Sequence, residues 1–371
     1  MIVPNQAGGH VIAMVKAGKS PAAVAVNPTT NKSYVANSES SSVTIIAQDT
    51  YAATTVKVGA DPLAIAVNSV TDKVYVTCRV GKQVWVIDGA TDTISAIPVG
   101  KSPGIVAVNP VTNKIHVAAD GDVTVIDGAT NQSTAVPTGR APFAIAINST
   151  TNKIYVVNPT SNDVTVLDGA TNQTVTIATG RTPDAVAVNP TTNRIYVAYM
   201  GSHSSKGHYD YAGANAQDGG VTVIDGATNT TSTLAIRTTP INVTVNPVTN
   251  KIYVANERYL DKGSVTVIDG LTEMTATVST GVERVPSGKS LAVNPETNKI
   301  YVTYSGYYND DGHFYTGMVT VIDGSSNRTA ATTFAPGVQP VGIAINTVTN
   351  KIFVTNLHSN DVTVMDGRAA P

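Results

Sequence analysis

Apolar residues along this chain come in short runs rather than at helical spacing. Runs such as "AVAVN" and "IYVAN" alternate or cluster β-branched and aromatic residues over five or six positions, and each is cut off by Asn, Pro, Thr, Asp or Gly. That punctuation predicts strands joined by tight turns. The pattern also repeats. "VAVNPTTNKSYVAN" at 24–37 recurs as "IAVNSVTDKVYVTC" (65–78), "VAVNPVTNKIHVAA" (106–119), "IAINSTTNKIYVVN" (145–158) and "VAVNPTTNRIYVAY" (186–199). Three further copies follow, "VTVNPVTNKIYVAN" (243–256), "LAVNPETNKIYVTY" (291–304) and "IAINTVTNKIFVTN" (343–356).

Each copy reads as four strands. Strand a ends in Asn, "PTTNK" turns the chain, strand b is "IYVAN", strand c is "VTVIDG", and a Thr- and Val-rich strand d follows the turn "GATN". Four antiparallel strands per roughly 40 residues describe a propeller blade. Residues 10–18 look like a strand d without its a, b and c, and the eighth copy stops after "VTVMDG". Joining the two ends completes one blade, so the expected fold is all-β: an eight-bladed propeller of four-stranded antiparallel blades in one domain over 1–371, closed by an N-terminal strand.

The units "IYVAN", "VYVTC" and "IFVTN", each followed by "VTVIDGATN" or a near copy and then by "G(K/R)xP", resemble the YVTN β-propeller repeat family across essentially the whole chain. Members of that family usually have seven blades, and the eight copies here depart from it. The resemblance implies a secreted, periplasmic or cell-surface protein. The opening "MIVPNQAGGH" has neither the basic start nor the apolar stretch of a leader, so the chain is either intracellular or begins after a removed one.

Composition narrows the partners. A net charge of −2 without blocks of like charge gives no attraction to nucleic acid or an anionic membrane, and no apolar run is long enough for membrane insertion. A monomer is expected. The single cysteine, Cys78, excludes an internal disulfide, a CxxCH haem attachment and a Cys-rich zinc site. No nucleotide-binding motif is present.

Many residues with chemical potential have a structural explanation. The Asp of "VIDG" (Asp88, Asp127, Asp168, Asp225, Asp269, Asp323, Asp366) fits a turn in which the carboxylate accepts backbone N–H bonds. Tyr34, Tyr75, Tyr155, Tyr196, Tyr253 and Tyr301 share one position of strand b with His116 and Phe353, which reads as a packing column. Asn-x-Ser/Thr triplets such as "NST" at 148–150 are expected by chance in a chain this rich in Asn and Thr.

The irregular residues collect elsewhere. The b-to-c loops of blades 5 (about 200–220), 6 (257–264) and 7 (305–318) are lengthened, as is the d-to-a connection at 281–290, and all belong on one face. In them or at their edge lie Tyr199, Tyr209, Tyr211, Tyr259, Tyr304, Tyr307, Tyr308 and Tyr315, with Glu257, Arg258 and Arg284, and His358 lies in the equivalent loop of blade 8. Disordered segments are poor in aromatic residues, whereas binding loops favour Tyr. The d-to-a turns "GKSP", "GRAP" and "GRTP" add Lys19, Lys101, Arg140 and Arg181, a partial ring of cations suited to an anion. His203, His208, Asp210, Asp310, Asp311 and His313 could hold one divalent metal, zinc, copper, iron or manganese. Two readings follow. The favoured one is an extracytoplasmic recognition propeller for a glycan, peptide or small anionic ligand. The alternative is a metal-dependent lyase, hydrolase or oxidoreductase using the His and Asp residues of the same loops.

Overall fold

The computed structural model describes residues 11–100, 102–201, 219–236, 238–257, 263–280, 288–305, 307–308, 314–315, 317–334 and 337–368. Among them there is no α-helix, and the strands form eight four-stranded antiparallel sheets, the blades of an eight-bladed β-propeller. Blade 1, strands a to d, comprises Pro21–Asn27, Lys32–Asn37, Ser42–Ala47 and Ala53–Lys57. The same order recurs through blade 2 (from Pro62), blade 3 (Val106), blade 4 (Ala144), blade 5 (Pro183), blade 6 (Thr239) and blade 7 (Gly288). Blade 8 takes strands a to c from Pro340–Asn346, Lys351–Asn356 and Asp361–Asp366, and its fourth strand from Val11–Lys16. The expected closing strand is therefore in place, with Met14 opposite Thr363 and Val15 opposite Val362.

The chain divides into two compact units. One is Met1–Val136 with Tyr308–Val319 and Phe334–Pro371; the other is Pro137–Tyr307 with Thr320–Thr333. The first holds blades 8, 1, 2 and 3, and the second blades 4, 5, 6 and most of blade 7.

Burial follows the order of strands within a blade. Strands b and c are covered on both sides, which is why they read as continuous apolar runs. Strand d is the open edge: in blade 4 only Ile177 of Thr174–Ala178 is buried. The strand-b column is core in every blade, none of its eight residues being more than 1% exposed. In each unit its side chain reaches the following blade: Tyr34 packs with Val74, Val76 and Ile87, and Tyr196 with Ile252, Val254 and Ile268. His116 fills the column in blade 3 without a hydrogen bond to either ring nitrogen. Burial, reinforced by Lys114, lowers its pKa to about 4.

The turn residues do more than turn the chain. At the end of strand a, the Asn Oδ1 accepts the N–H two residues on, as from Val70 to Asn68 at 3.1 Å. Its Nδ2 crosses to the next blade: Asn27 to Asp72 (2.7 Å), Asn68 to Asn113 (2.8 Å), Asn148 to Asn193 (2.8 Å), Asn189 to Asn250 (2.8 Å) and Asn246 to Asn298 (2.9 Å). The receiving residue is left-handed, with φ of 50–53°, which Asn and Asp tolerate better than other non-glycine residues. Its carbonyl accepts the N–H of the Asp-Gly glycine of its own blade, as from Gly89 to Asp72 at 2.7 Å. A Cβ on Gly89, Gly128, Gly226, Gly270 or Gly324 would collide with that side chain, so this glycine is required for close approach. The following lysine also spans blades: Lys32 donates to Gly89 O (2.6 Å), Lys153 to Gly226 O (2.8 Å) and Lys251 to Gly324 O (2.6 Å).

The junction from blade 8 to blade 1 keeps the ladder, with Asn346 Nδ2 donating to Asn31 Oδ1 at 3.1 Å, and adds a glutamine to it. Gln48 stands where other blades have the glycine. Its Oε1 accepts from Asn346 at 2.8 Å, its carbonyl accepts from Lys351 at 2.5 Å, and its Nε2 donates to Ser33 Oγ at 2.8 Å. Ser33 occupies a strand-b position that is Val or Ile in the other seven blades, and the smaller side chain makes room for the glutamine. Lys351 also lies 4.9 Å from the centre of the Tyr51 ring.

Candidate functional site

In every blade the a-to-b and c-to-d turns lie at one end, and the b-to-c and d-to-a connections at the other. The candidate site belongs to the second end. Several of its described d-to-a turns are held by hydrogen bonds. Ser20, Asp61, Ala141, Thr182 and Gln339, each preceding a proline, have φ of 53–59°. The left-handed region costs about 1–2 kcal/mol for such residues, and hydrogen bonds to the b-to-c turns offset it. The Ser20 and Thr182 N–H groups donate to Asn360 Oδ1 and Asn162 Oδ1, both at 2.8 Å. Backbone N–H groups of Lys19 and Arg140 donate to Ser40 Oγ and Ser161 Oγ, both at 3.0 Å. These anchors leave the side chains of Lys19, Arg140 and Arg181 exposed.

The root of the blade 5 insertion is tied to one of these turns. Met200 N–H donates to Thr182 O, and Gly201 N–H to Arg181 O, both at 3.0 Å. His358, in the short loop of blade 8, is exposed and donates its N–H to Val338 O at 3.1 Å.

Two expected ligand contacts need correction. Tyr199 and Tyr304 are 8% and 2% exposed, so they belong to the core and not to an open surface. Both occupy the last position of strand b. In blades 1, 4, 6 and 8 that position is Asn37, Asn158, Asn256 or Asn356, whose Nδ2 donates to a strand-c threonine at 2.9–3.0 Å. The larger tyrosine fits because glycine surrounds it: Gly180 and Gly220 lie against the Tyr199 ring, and Gly263 against that of Tyr304. Burial pushes the Tyr304 phenol well above its ordinary pKa.

The remaining candidates are described in part or not at all. For Glu257, Tyr307, Tyr308 and Tyr315 the structure describes the backbone. Tyr307–Tyr308 and Phe314–Tyr315 form a two-stranded sheet of their own. Lys101, His203, His208, Tyr209, Asp210, Tyr211, Arg258, Tyr259, Arg284, Asp310, Asp311 and His313 lie outside the described residues. Among the described residues, no three His, Cys, Asp or Glu side chains come together as a metal site.

At the other end of the blades, the Asp-Gly aspartates serve the turns as expected. Asp127 Oδ1 accepts the Ala129 and Thr130 N–H groups, both at 3.0 Å, and these bonds hold its pKa below the ordinary value. In Asp88 the Thr91 hydroxyl is the larger cause. The sequence reading missed the asparagine ladder between blades and the seam at Gln48. The recurrence of Asn in "TNK" was the available signal for the first, and the paired departure of Ser33 and Gln48 from the repeat for the second.

No family model matches the chain, and no curated protein matches it. Solved structures do. A hydrazine synthase chain from Kuenenia stuttgartiensis aligns over 99% of this chain and 99% of its own, with 16% identity and a TM-score of 0.62. The computationally designed protein Ika8 aligns over 96% of this chain and 100% of its own, with 14% identity and a TM-score of 0.74. At such identities the likeness concerns the fold, which carries no particular chemistry with it.

Proposed function

We propose that this chain is an extracytoplasmic recognition propeller whose b-to-c insertions in blades 5 to 7 bind a glycan, peptide or small anionic ligand. The observation that carries this reading is the strand pair Tyr307–Tyr308 and Phe314–Tyr315, a folded element with aromatic residues at all four positions. Tyrosine offers large contact area for little lost entropy, and a strand pair limits that loss further. The anchoring of Met200 and Gly201 on the Arg181 turn supports the same reading, because it sets an exposed guanidinium beside the root of a tyrosine-rich insertion. The resemblance to the YVTN repeat family supports the extracytoplasmic location.

The test is binding on glycan and peptide arrays, followed by titration of the best ligand. Tyr209→Ala and Tyr308→Ala should each weaken binding by about tenfold or more, in line with loss of an aromatic anchor. His208→Ala and His313→Ala should have smaller effects. The reverse ranking, together with a near-stoichiometric transition metal in protein purified without chelator, would overturn the recognition reading in favour of a metal-dependent enzyme.

A further inference from the structure

The c-to-d turns carry a chemistry that recognition at the other end of the blades does not use. Four of them place Asn two residues before Ser or Thr: Asn131-Gln132-Ser133, Asn172-Gln173-Thr174, Asn229-Thr230-Thr231 and Asn327-Arg328-Thr329. All four asparagines occupy one position of the turn, with φ of 54–61° and the N–H donated to the turn aspartate carbonyl at 2.8–2.9 Å. Asn-x-Ser/Thr is the acceptor triplet for N-linked glycan transfer, and by itself a common accident.

The structure separates this set from two other copies of the triplet, those at Asn148 and Asn31. Asn148 is fully buried, with its Nδ2 committed to Asn193 Oδ1. Asn31 donates its Nδ2 to Asp49. The turn asparagines are more open than Asn148: Asn172, Asn229 and Asn327 are half-buried. Asn327 Oδ1 accepts from Lys251 Nζ at 3.1 Å, and in Asn172 and Asn229 the Oδ1 is the shielded atom. Asn131 is exposed as a whole residue. Each triplet then runs into strand d, the open edge of its blade. The first three strand-d residues are exposed in blades 3, 4 and 5. Lifting the triplet into a transferase therefore disturbs little buried surface.

We propose that Asn131, Asn172, Asn229 and Asn327 are acceptor sites for N-linked glycans. The assignment rests on the extracytoplasmic reading for its occurrence in the cell. In the reaction, Nδ2 loses one proton to a base of the transferase and bonds to the anomeric carbon of a saccharide carried on a lipid diphosphate. The bond from that carbon to the diphosphate oxygen breaks, and the lipid diphosphate leaves with the electron pair. No oxidant or reductant takes part. The glycans would stand at the end of the blades away from the tyrosine-rich insertions and leave those uncovered.

The experiment uses the folded full chain with a purified oligosaccharyltransferase and a lipid-diphosphate-linked oligosaccharide, read by site-resolved glycopeptide mass spectrometry. The same molecule carries an appended flexible Asn-x-Thr tag as an internal control. The expected result is modification at the four turn asparagines and none at Asn31 or Asn148. Each single Asn→Gln substitution should remove one glycan mass, and Thr174→Val should silence Asn172 while leaving its side chain in place. An unmodified turn set beside a fully modified tag would overturn the assignment, as would equal modification of Asn148. Because this assay involves no export, its failure is distinct from that of the localisation reading, which would fail if the protein were found in the cytoplasm of its source.

Discussion

Replacing His116 with phenylalanine should flatten the acid side of this protein's stability profile. The imidazole is fully buried, with both nitrogens unpartnered, and its pKa is about 4 against an ordinary 6.5. Burial disfavours the imidazolium, and the Lys114 charge adds to the effect. The folded value is the lower one, so the unfolded chain takes up the proton first. Stability is complete above pH 6.5 and falls as the pH moves toward 4, by up to about 3 kcal/mol, of which about 2 kcal/mol is lost by pH 5. Phenylalanine already fills the same column at Phe353, so the substitution is sterically precedented. Removing two unsatisfied nitrogens should also raise stability at pH 7 by about 1–3 kcal/mol. The assay is urea unfolding at pH 7 and pH 5, followed by fluorescence of Trp85, the single tryptophan, in the neighbouring blade 2. The turn carboxylates titrate in both proteins and cancel. Parallel losses in wild type and variant between the two pH values would refute the reasoning, because they would mean that the buried imidazole already has a partner for its proton.

Other outcomes follow from the same contacts. Gly89→Ala should cost about 1–3 kcal/mol in urea unfolding, since its Cβ would meet the Asp72 carbonyl and carboxylate where neither can retreat. At the seam, Gln48→Ala should cost about 2 kcal/mol and Ser33→Ala less. The double-mutant cycle should give a coupling of about 0.5–1.5 kcal/mol, and additivity would show that their hydrogen bond contributes nothing. Burial pushes the Cys78 thiol up to about 12, so a thiol reagent should label it only as fast as the protein unfolds. Labelling of the native protein at the rate of a free thiol would contradict that.

The eight blades were legible because the period is short and its punctuation is chemical: Asn closes strand a, Asp-Gly closes strand c, and the missing strand d of the last copy matches the orphan strand at the first. The ladder between blades was not legible in the same way. Its paired side chains are at least 45 residues apart, and nothing in one repeat distinguishes an asparagine that merely turns the chain from one that also donates across a junction. Tyr199 and Tyr304 were misplaced because they sit at the boundary between strand and insertion, where sequence position favours the loop. What settles them is depth: the last residue of strand b points inward, and glycines from neighbouring strands and connections leave a space the size of an aromatic ring. The insertions themselves, which lack the repeat, offered composition and no periodicity from which to place their side chains.

The junction between the last blade and the first has an evolutionary implication. Within the two units, six junctions share one ladder, so neighbouring repeats are nearly interchangeable and recombination within the array can add or remove a whole copy without creating an unfamiliar contact. The contact between Gln48, Ser33 and Asn346 is not interchangeable. A repeat carrying only one half of it would meet either an overfilled or an underfilled neighbour. Copy number is thus left free to drift, while the pair of repeats that meets where the chain opens is held fixed.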